Sequence, residues 1–284
     1  MADAIKISHI SKEYEGFKLD DVSFHVPMGS IVGFIGENGA GKSTTIKMII
    51  DAVKPSSGEI FIQGVSNKEY LKTNASEIGV VMEDCLFHEN LNAKELCKTM
   101  EFIYKDAWDQ NKAKDYIKKF ELPEKKIIKE YSKGMKMKLA LTIAFSHNAK
   151  ILIMDEATSG LDPITRDEML DILLDFISDE EHAILMSSHI LSDLEKACDY
   201  ISFIHKGKLL FMKEKDILLE EYGVLKCTKT ELEAIDKIAI VNYRENRYNI
   251  EALVKKDLVP SGFTIDKATI EDIMLFYARG NEVC

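Results

Sequence analysis

The segment GENGAGKST, residues 36–44, follows the apolar run IVGFI at 31–35 and opens a stretch of helical spacing, STTIKMIIDAV at 43–53. A surface turn is the plainer reading of so many small residues. The spacing Gly36–x4–Gly41–Lys42–Ser43, however, matches a P-loop. In such a loop backbone N–H groups turn inward around phosphate oxygens, in conformations that glycine tolerates. The helix that follows adds the positive end of its dipole. Lys42 can reach the outer phosphates, and the Ser43 hydroxyl can hold Mg2+. The strand before and the helix after are the context the pattern requires, and they decide against the turn. Asn38, Gly39, Ala40, Gly41, Lys42, Ser43 and Thr44 are the candidate contacts to a nucleotide.

A triphosphate site of this kind needs an acid for its metal. ILIMDE at 151–156 places Asp155 at the end of a fully apolar strand, where open α/β sheets carry their ligands. Asp155 is expected to hold Mg2+, and Glu156 to polarise the attacking water. The alternative, that the pair only closes a strand, is weak beside a P-loop.

Apolar strands recur at 31–35, 78–82, 150–156 and 182–189, separated by helical patterns. That alternation predicts an α/β fold with a mostly parallel sheet covered on both faces. AIKISHI, VSFHV and GEIFIQG read as short antiparallel strands near the N-terminus. Asn92 with Glu95 reads as a capping box opening a helix-rich insertion, about 84–149, through ELCKTMEFIYK, WDQNKAKDYIKKFEL and KGMKMKLALTIAFSHN. From about 224 to 284 the pattern changes to a small α+β appendage: IAIVNY and RYNIEALV form a hairpin, and ATIEDIMLFYARG forms a final helix.

The net charge of −11 argues against broad nucleic-acid binding. The apolar runs are too short to cross a bilayer, and the start lacks the apolar core of a signal peptide, so a cytoplasmic location is expected. The five cysteines, Cys85, Cys97, Cys198, Cys227 and Cys284, contain no CxxC pair and read as reduced and structural.

Beyond the P-loop and the acid pair, residues 1 to about 220 carry further motifs in a fixed order. YSKGM at 131–135 resembles the signature loop LSGGQ, SGLD at 159–162 the D-loop, His189 in MSSHI the switch histidine, and Tyr14 in KEYEGF the aromatic that stacks on adenine. Together they resemble the nucleotide-binding subunit of an ABC transporter, over residues 1–223. The resemblance implies a P-loop NTPase fold of ABC type that binds ATP with Mg2+. It implies that Glu156 and His189 serve catalysis, and that Ser43, Asp155 and Glu83 lie at the metal. It also implies two such domains pairing head to tail, as a homodimer or with a related subunit, so that Ser132 and the Gly134 backbone contact the γ-phosphate across the interface, with Asp162 of the D-loop also at the nucleotide. An integral membrane permease is the implied partner, holding the chain at the inner face of the membrane.

Two departures stand out. Lys133 occupies a glycine position of the signature loop, with Met135 in place of its glutamine. Glu83, in IGVVMED, occupies the glutamine position of the Q-loop. These departures resemble ABC-2-type exporters, among them bacterial ATPases that export antimicrobial or amphipathic peptides. The segment 84–130 is then expected to form the groove that receives the permease. The competing readings are a soluble ABC ATPase in assembly or regulation without a permease, and a nucleotide-binding regulator without turnover. The intact Lys42, Asp155, Glu156 and His189 argue against the latter.

Overall fold

The strand β3 (Ile31–Ile35), wholly buried, is the centre of the architecture. Ahead of it, β1 (Asp3–Tyr14) and β2 (Phe17–Pro27) form an antiparallel ribbon. After it come α1 (Lys42–Ile49), β4 (Ser57–Ile62), β5 (Val65–Ser66), α2 (Asn67–Asn74) and β6 (Ile78–Met82). The insertion supplies α3 (Ala93–Tyr104), α4 (Gln110–Lys119) and α5 (Lys133–Ser146). The chain returns through β7 (Ile151–Asp155), α6 (Pro163–Ile177), β8 (Ala183–Ser188), α7 (Leu191–Ala197), β9 (Tyr200–His205) and β10 (Lys208–Glu214). It ends with α8 (Lys215–Glu221), β11 (Tyr222–Cys227), α9 (Lys229–Glu233), β12 (Ile240–Glu245), β13 (Ile250–Lys255), β14 (Ile265–Lys267) and α10 (Ile270–Arg279). This computed structural model describes residues 2–83, 87–246 and 249–279.

Among the described residues the strands form three sheets: β2-β1-β4-β5, β10-β9-β3-β8-β7-β6 and β12-β13-β11-β14. The six-stranded sheet is parallel except at β10, as the continuous apolar runs require. Alternate residues of its strands feed two cores. Ile31, Ile35, Leu152, Met154, Ile184 and Met186 face the helices of the insertion, α6 and α7. Val32, Phe34, Ile151, Ile153 and Leu185 face the antiparallel ribbon and α1. Each such side chain contributes about 1.5–3 kcal/mol by leaving water, which fixes the register of the sheet on both faces.

The helix expected over 43–53 ends at Ile49 instead. Asp51 adopts a left-handed φ of 55°, and the N–H groups of Asp51 and Ala52 return to the carbonyls of Met48 and Lys47. That reverse-turn closure ends a helix without a glycine, and so leaves little trace in a sequence. The capping box at Asn92 and Glu95 forms in both directions, each bond 3.0 Å.

The tail from 222 carries its own small core around Leu225, Ile240, Ile250 and Val254. Its last helix turns back, however: Ile270, Ile273 and Phe276 of α10 join the core that also holds Leu194 and Phe203. The boundary expected between 223 and 224 falls inside β11. Cys97, Cys198 and Cys227 are buried free thiols, and burial raises the pKa of the first to about 11 and pushes the other two upward. Cys85 and Cys284 lie outside the described residues, as does the start of the expected permease groove at 84–86. No described helix is long and apolar enough to cross a membrane.

Candidate functional site

The parallel register delivers the motif residues to one edge. Ile35 of β3 pairs with Ser188 of β8, Ser187 of β8 with Asp155 of β7, and Asp155 with Met82 of β6. The P-loop, His189, Glu156 and Glu83 therefore leave the carboxyl ends of four adjacent strands, the position at which open α/β sheets bind ligands.

The P-loop wraps from β3 into α1. A Cβ at Gly36 would lie 2.4 Å from the Ile204 carbonyl oxygen, so only glycine fits beside β9. Gly41 has φ 116°, and a Cβ there would stand 2.7 Å from Leu19 Cδ1. Gly39, at φ 80°, faces open space. Ala40 is buried, and its carbonyl accepts from the Gly207 N–H at 3.0 Å, which ties the loop to the β9–β10 turn.

Lys42 is buried, 6% exposed, with its ammonium directed back into the loop. It donates to the Gly36 carbonyl at 2.7 Å and lies 3.2 Å from Glu156 Oε1. The other Glu156 oxygen accepts from His189 Nδ1 at 2.5 Å. Glu156 is thus held between the Lys42 ammonium and the His189 ring. Its backbone sits at φ 51°, and its N–H donates to both the carbonyl (3.2 Å) and the hydroxyl (3.0 Å) of Ser187. The same hydroxyl donates to Asp155 Oδ1 at 2.6 Å. Ser187, which the motif pattern did not single out, therefore orients both acids. The available signal was a pair of hydroxyls ending an otherwise apolar buried strand.

Asn38, Gly39, Gly41, Lys42, Ser43, Thr44, Glu83 and Glu156 line one cleft of about 690 Å³, together with Gly16, Phe17 and Glu37. Asp155 is buried and is not among the lining residues. Tyr14 is 43% exposed, with the Lys12 ammonium 5.8 Å over its ring. It pairs across the β1–β2 turn with Phe17, the aromatic that lines the cleft and that the sequence reading missed. A larger groove of about 790 Å³, between residues such as Lys6, Phe61, Lys150 and Glu180, includes none of the motif residues.

Ser132, Gly134 and Asp162 are not among the described residues lining the cleft. Ser132 caps α5, accepting from the Met135 N–H at 3.2 Å. Asp162 caps α6, accepting from the Thr165 N–H at 3.1 Å, and that bond holds its carboxyl below the usual carboxylate range. A Cβ on Gly134 would lie 2.8 Å from Thr165 Cγ2, so the two helix starts are packed together. They form a second cluster beside the cleft.

The cleft fits a magnesium nucleotide by its donor set. Gly39, at positive φ, leaves open space of the kind phosphate oxygens need, Lys42 supplies a buried cation, and Ser43 and Glu83 of the lining, with the buried Asp155, carry hard oxygens of the type Mg2+ takes.

Comparison with known proteins agrees. Residues 19–159 match the family model described as ABC transporter. The chain is 37% identical over 215 residues to a bacitracin transport ATP-binding protein of Bacillus licheniformis, covering 74% of this chain and 69% of that one. It is 34% identical over 215 residues to a lantibiotic transport ATP-binding protein of Streptococcus pyogenes, covering 75% of this chain and 91% of that one. A solved ATP-binding subunit of an ABC transporter superposes with a TM-score of 0.67 at 29% identity, over 75% of this chain and 90% of that one. A bacterial ABC transporter cassette solved as a dimer shares the fold, with a TM-score of 0.66 at 23% identity, over 74% of this chain and 98% of that one. The chain belongs to the family of ABC transporter ATP-binding proteins. It is an ATP-hydrolysing subunit of a transport system.

Proposed function

We propose that this chain binds Mg·ATP in the 690 Å³ cleft and that hydrolysis there powers export through a separate membrane permease. The cargo we propose is an amphipathic or antimicrobial peptide; two relatives are named for transport of bacitracin and of a lantibiotic. The observation that carries the reading is the grip on Glu156, with Lys42 on one oxygen and His189 on the other.

In this arrangement Lys42 has an exchangeable partner. A triphosphate in the loop offers the ammonium stronger acceptors than the Gly36 carbonyl and Glu156, and Lys42 turns to them. Glu156 Oε1 is then free to accept the proton of an attacking water, while His189 keeps the other oxygen in place. Mg2+, when bound, neutralises charge on the phosphate oxygens. Ser43 and Asp155 would hold it, with Glu83 at the rim. Tyr14, exposed at the turn beside Phe17, would stack on the base.

The second cluster suits a partner's nucleotide. Ser132 begins a helix of fourteen residues, whose N-terminus favours an anion, and it stands outside its own cleft. A second ATP-binding subunit docked head to tail would bring Ser132, Gly134 and Asp162 over the partner's phosphates. Loss of the γ-phosphate would release those contacts and open the pair.

The test is reconstitution with the candidate permease in vesicles. ATP hydrolysis should rise with peptide cargo, and co-purification in detergent should survive washing. ATP turnover with no association with the permease would favour the permease-free reading instead.

A further inference from the structure

The two positions at which this chain departs from the common motif residues meet in space. Lys133 Nζ lies 3.0 Å from Glu83 Oε1. Lys133 is the first residue of α5, immediately after the Ser132 cap, and Glu83 is the first residue beyond β6, on the wall of the nucleotide cleft. The same ammonium reaches the loop before α6: a Cβ on Gly160 would lie 3.2 Å from it. One lysine therefore pairs with the Q-loop position and stands beside the D-loop, from the start of the signature helix.

Each residue alone is unfavourable where it stands. A cation in the first turn of α5 opposes the helix dipole. Where no Mg2+ lies against it, a carboxylate on a cleft wall that already carries Glu156 repels a triphosphate. Paired, the two charges offset both penalties. The competing account is a solvated lysine that happens to lie near an acid, since the side chains are 37% and 48% exposed.

We propose that Lys133 is a positioning residue for Glu83: it neutralises that carboxylate, holds it at the cleft rim, and so makes the glutamate compatible with nucleotide in the same chain. The two departures are then one compensated change. The signature helix is tied to its own cleft as well as being available to a partner. This inference rests on the reading of the cleft as the nucleotide site.

The experiment is a double-mutant cycle on the equilibrium affinity for a non-hydrolysable ATP analogue with Mg2+, in the full chain. The cycle comprises Glu83→Gln, Lys133→Gly and the double variant, and Lys133→Met is added to separate loss of charge from loss of helix propensity. Melting temperature is followed in parallel. Lys133→Gly and Lys133→Met should each weaken binding by about fivefold, the upper range for a partly exposed pair. In the Glu83→Gln background the lysine change should cost less than about twofold. Equal fold losses with and without Glu83 overturn the pairing. So does coupling that shows in the melting temperature alone, which would mark a merely structural bridge. If the unmodified chain does not bind the analogue, the cleft reading itself fails and takes this inference with it.

Discussion

Replacing Glu156 with glutamine should separate nucleotide binding from turnover. The carboxylate lies 3.2 Å from the Lys42 ammonium, in surroundings where the two side chains are 14% and 6% exposed. At an effective dielectric of about 20 that attraction is about 5 kcal/mol before desolvation is subtracted. Lys42 keeps the Gly36 carbonyl at 2.7 Å, so the free chain should lose less than a stranded charge would cost, roughly 1–3 kcal/mol. For a chain of this size that is a fall of roughly 2–10 °C in melting temperature. Mg·ATP should more than restore it, because the amide no longer competes for Lys42 or repels phosphate. Turnover should drop by about 10²- to 10⁴-fold, the usual contribution of a positioned base. Thermal melting with and without Mg·ATP, together with phosphate release, measures both effects. Unchanged turnover would remove Glu156 from its role, and lost ATP affinity would show that the Lys42 contact supports binding rather than chemistry.

Three further outcomes are expected. Gly41→Ala should weaken ATP binding by about tenfold or more in a folded protein, since φ 116° strains any residue with a Cβ and that Cβ would displace Leu19 Cδ1 from 2.7 Å; calorimetric titration showing normal affinity would contradict the geometry. Tyr14→Ala should weaken ATP by about fivefold or more while sparing tripolyphosphate, whereas Phe17→Ala, beside Gly41, should weaken both; parallel titrations distinguish them. His147 donates from Nδ1 to the Ser76 carbonyl at 2.7 Å and stacks on Tyr104 at 4.1 Å. Its burial holds its pKa below the ordinary 6.5. The unfolded chain therefore binds the extra proton first: this contribution to stability is intact above that value and is lost as pH falls through the lower folded pKa. His147→Phe should flatten the slope of unfolding free energy as pH falls below 6.5, read from urea titrations.

The parallel sheet was legible because its strands are buried on both faces except at the β6 edge, where Val80 is exposed, so IVGFI, IGVVM, ILIM and AILM read as apolar runs. The P-loop, Asp155 and Glu156 were legible because phosphate and metal chemistry dictates residue type at fixed spacing. What escaped depends on three-dimensional closure. Asp51 ends α1 in a left-handed conformation, which aspartate tolerates better than most residues but signals far less sharply than glycine. Ser187 orients both acids through bonds spanning 31 and 32 residues of chain. Phe17 reaches the cleft because a tight turn folds β2 beside Tyr14. Lys133 and Glu83 stood out one at a time as departures from a motif, while their contact spans 50 residues. The packing of α10 onto the main core likewise follows from where its apolar face lands, not from its periodicity.

Equilibrium binding of Mg·ATP to the purified chain and to its Lys42→Ala variant tests the account most directly. The unmodified chain should bind at micromolar to submillimolar concentration and hydrolyse what it binds, and the variant should do neither. No affinity for ATP at millimolar concentration, or equal affinity in the two proteins, would contradict it.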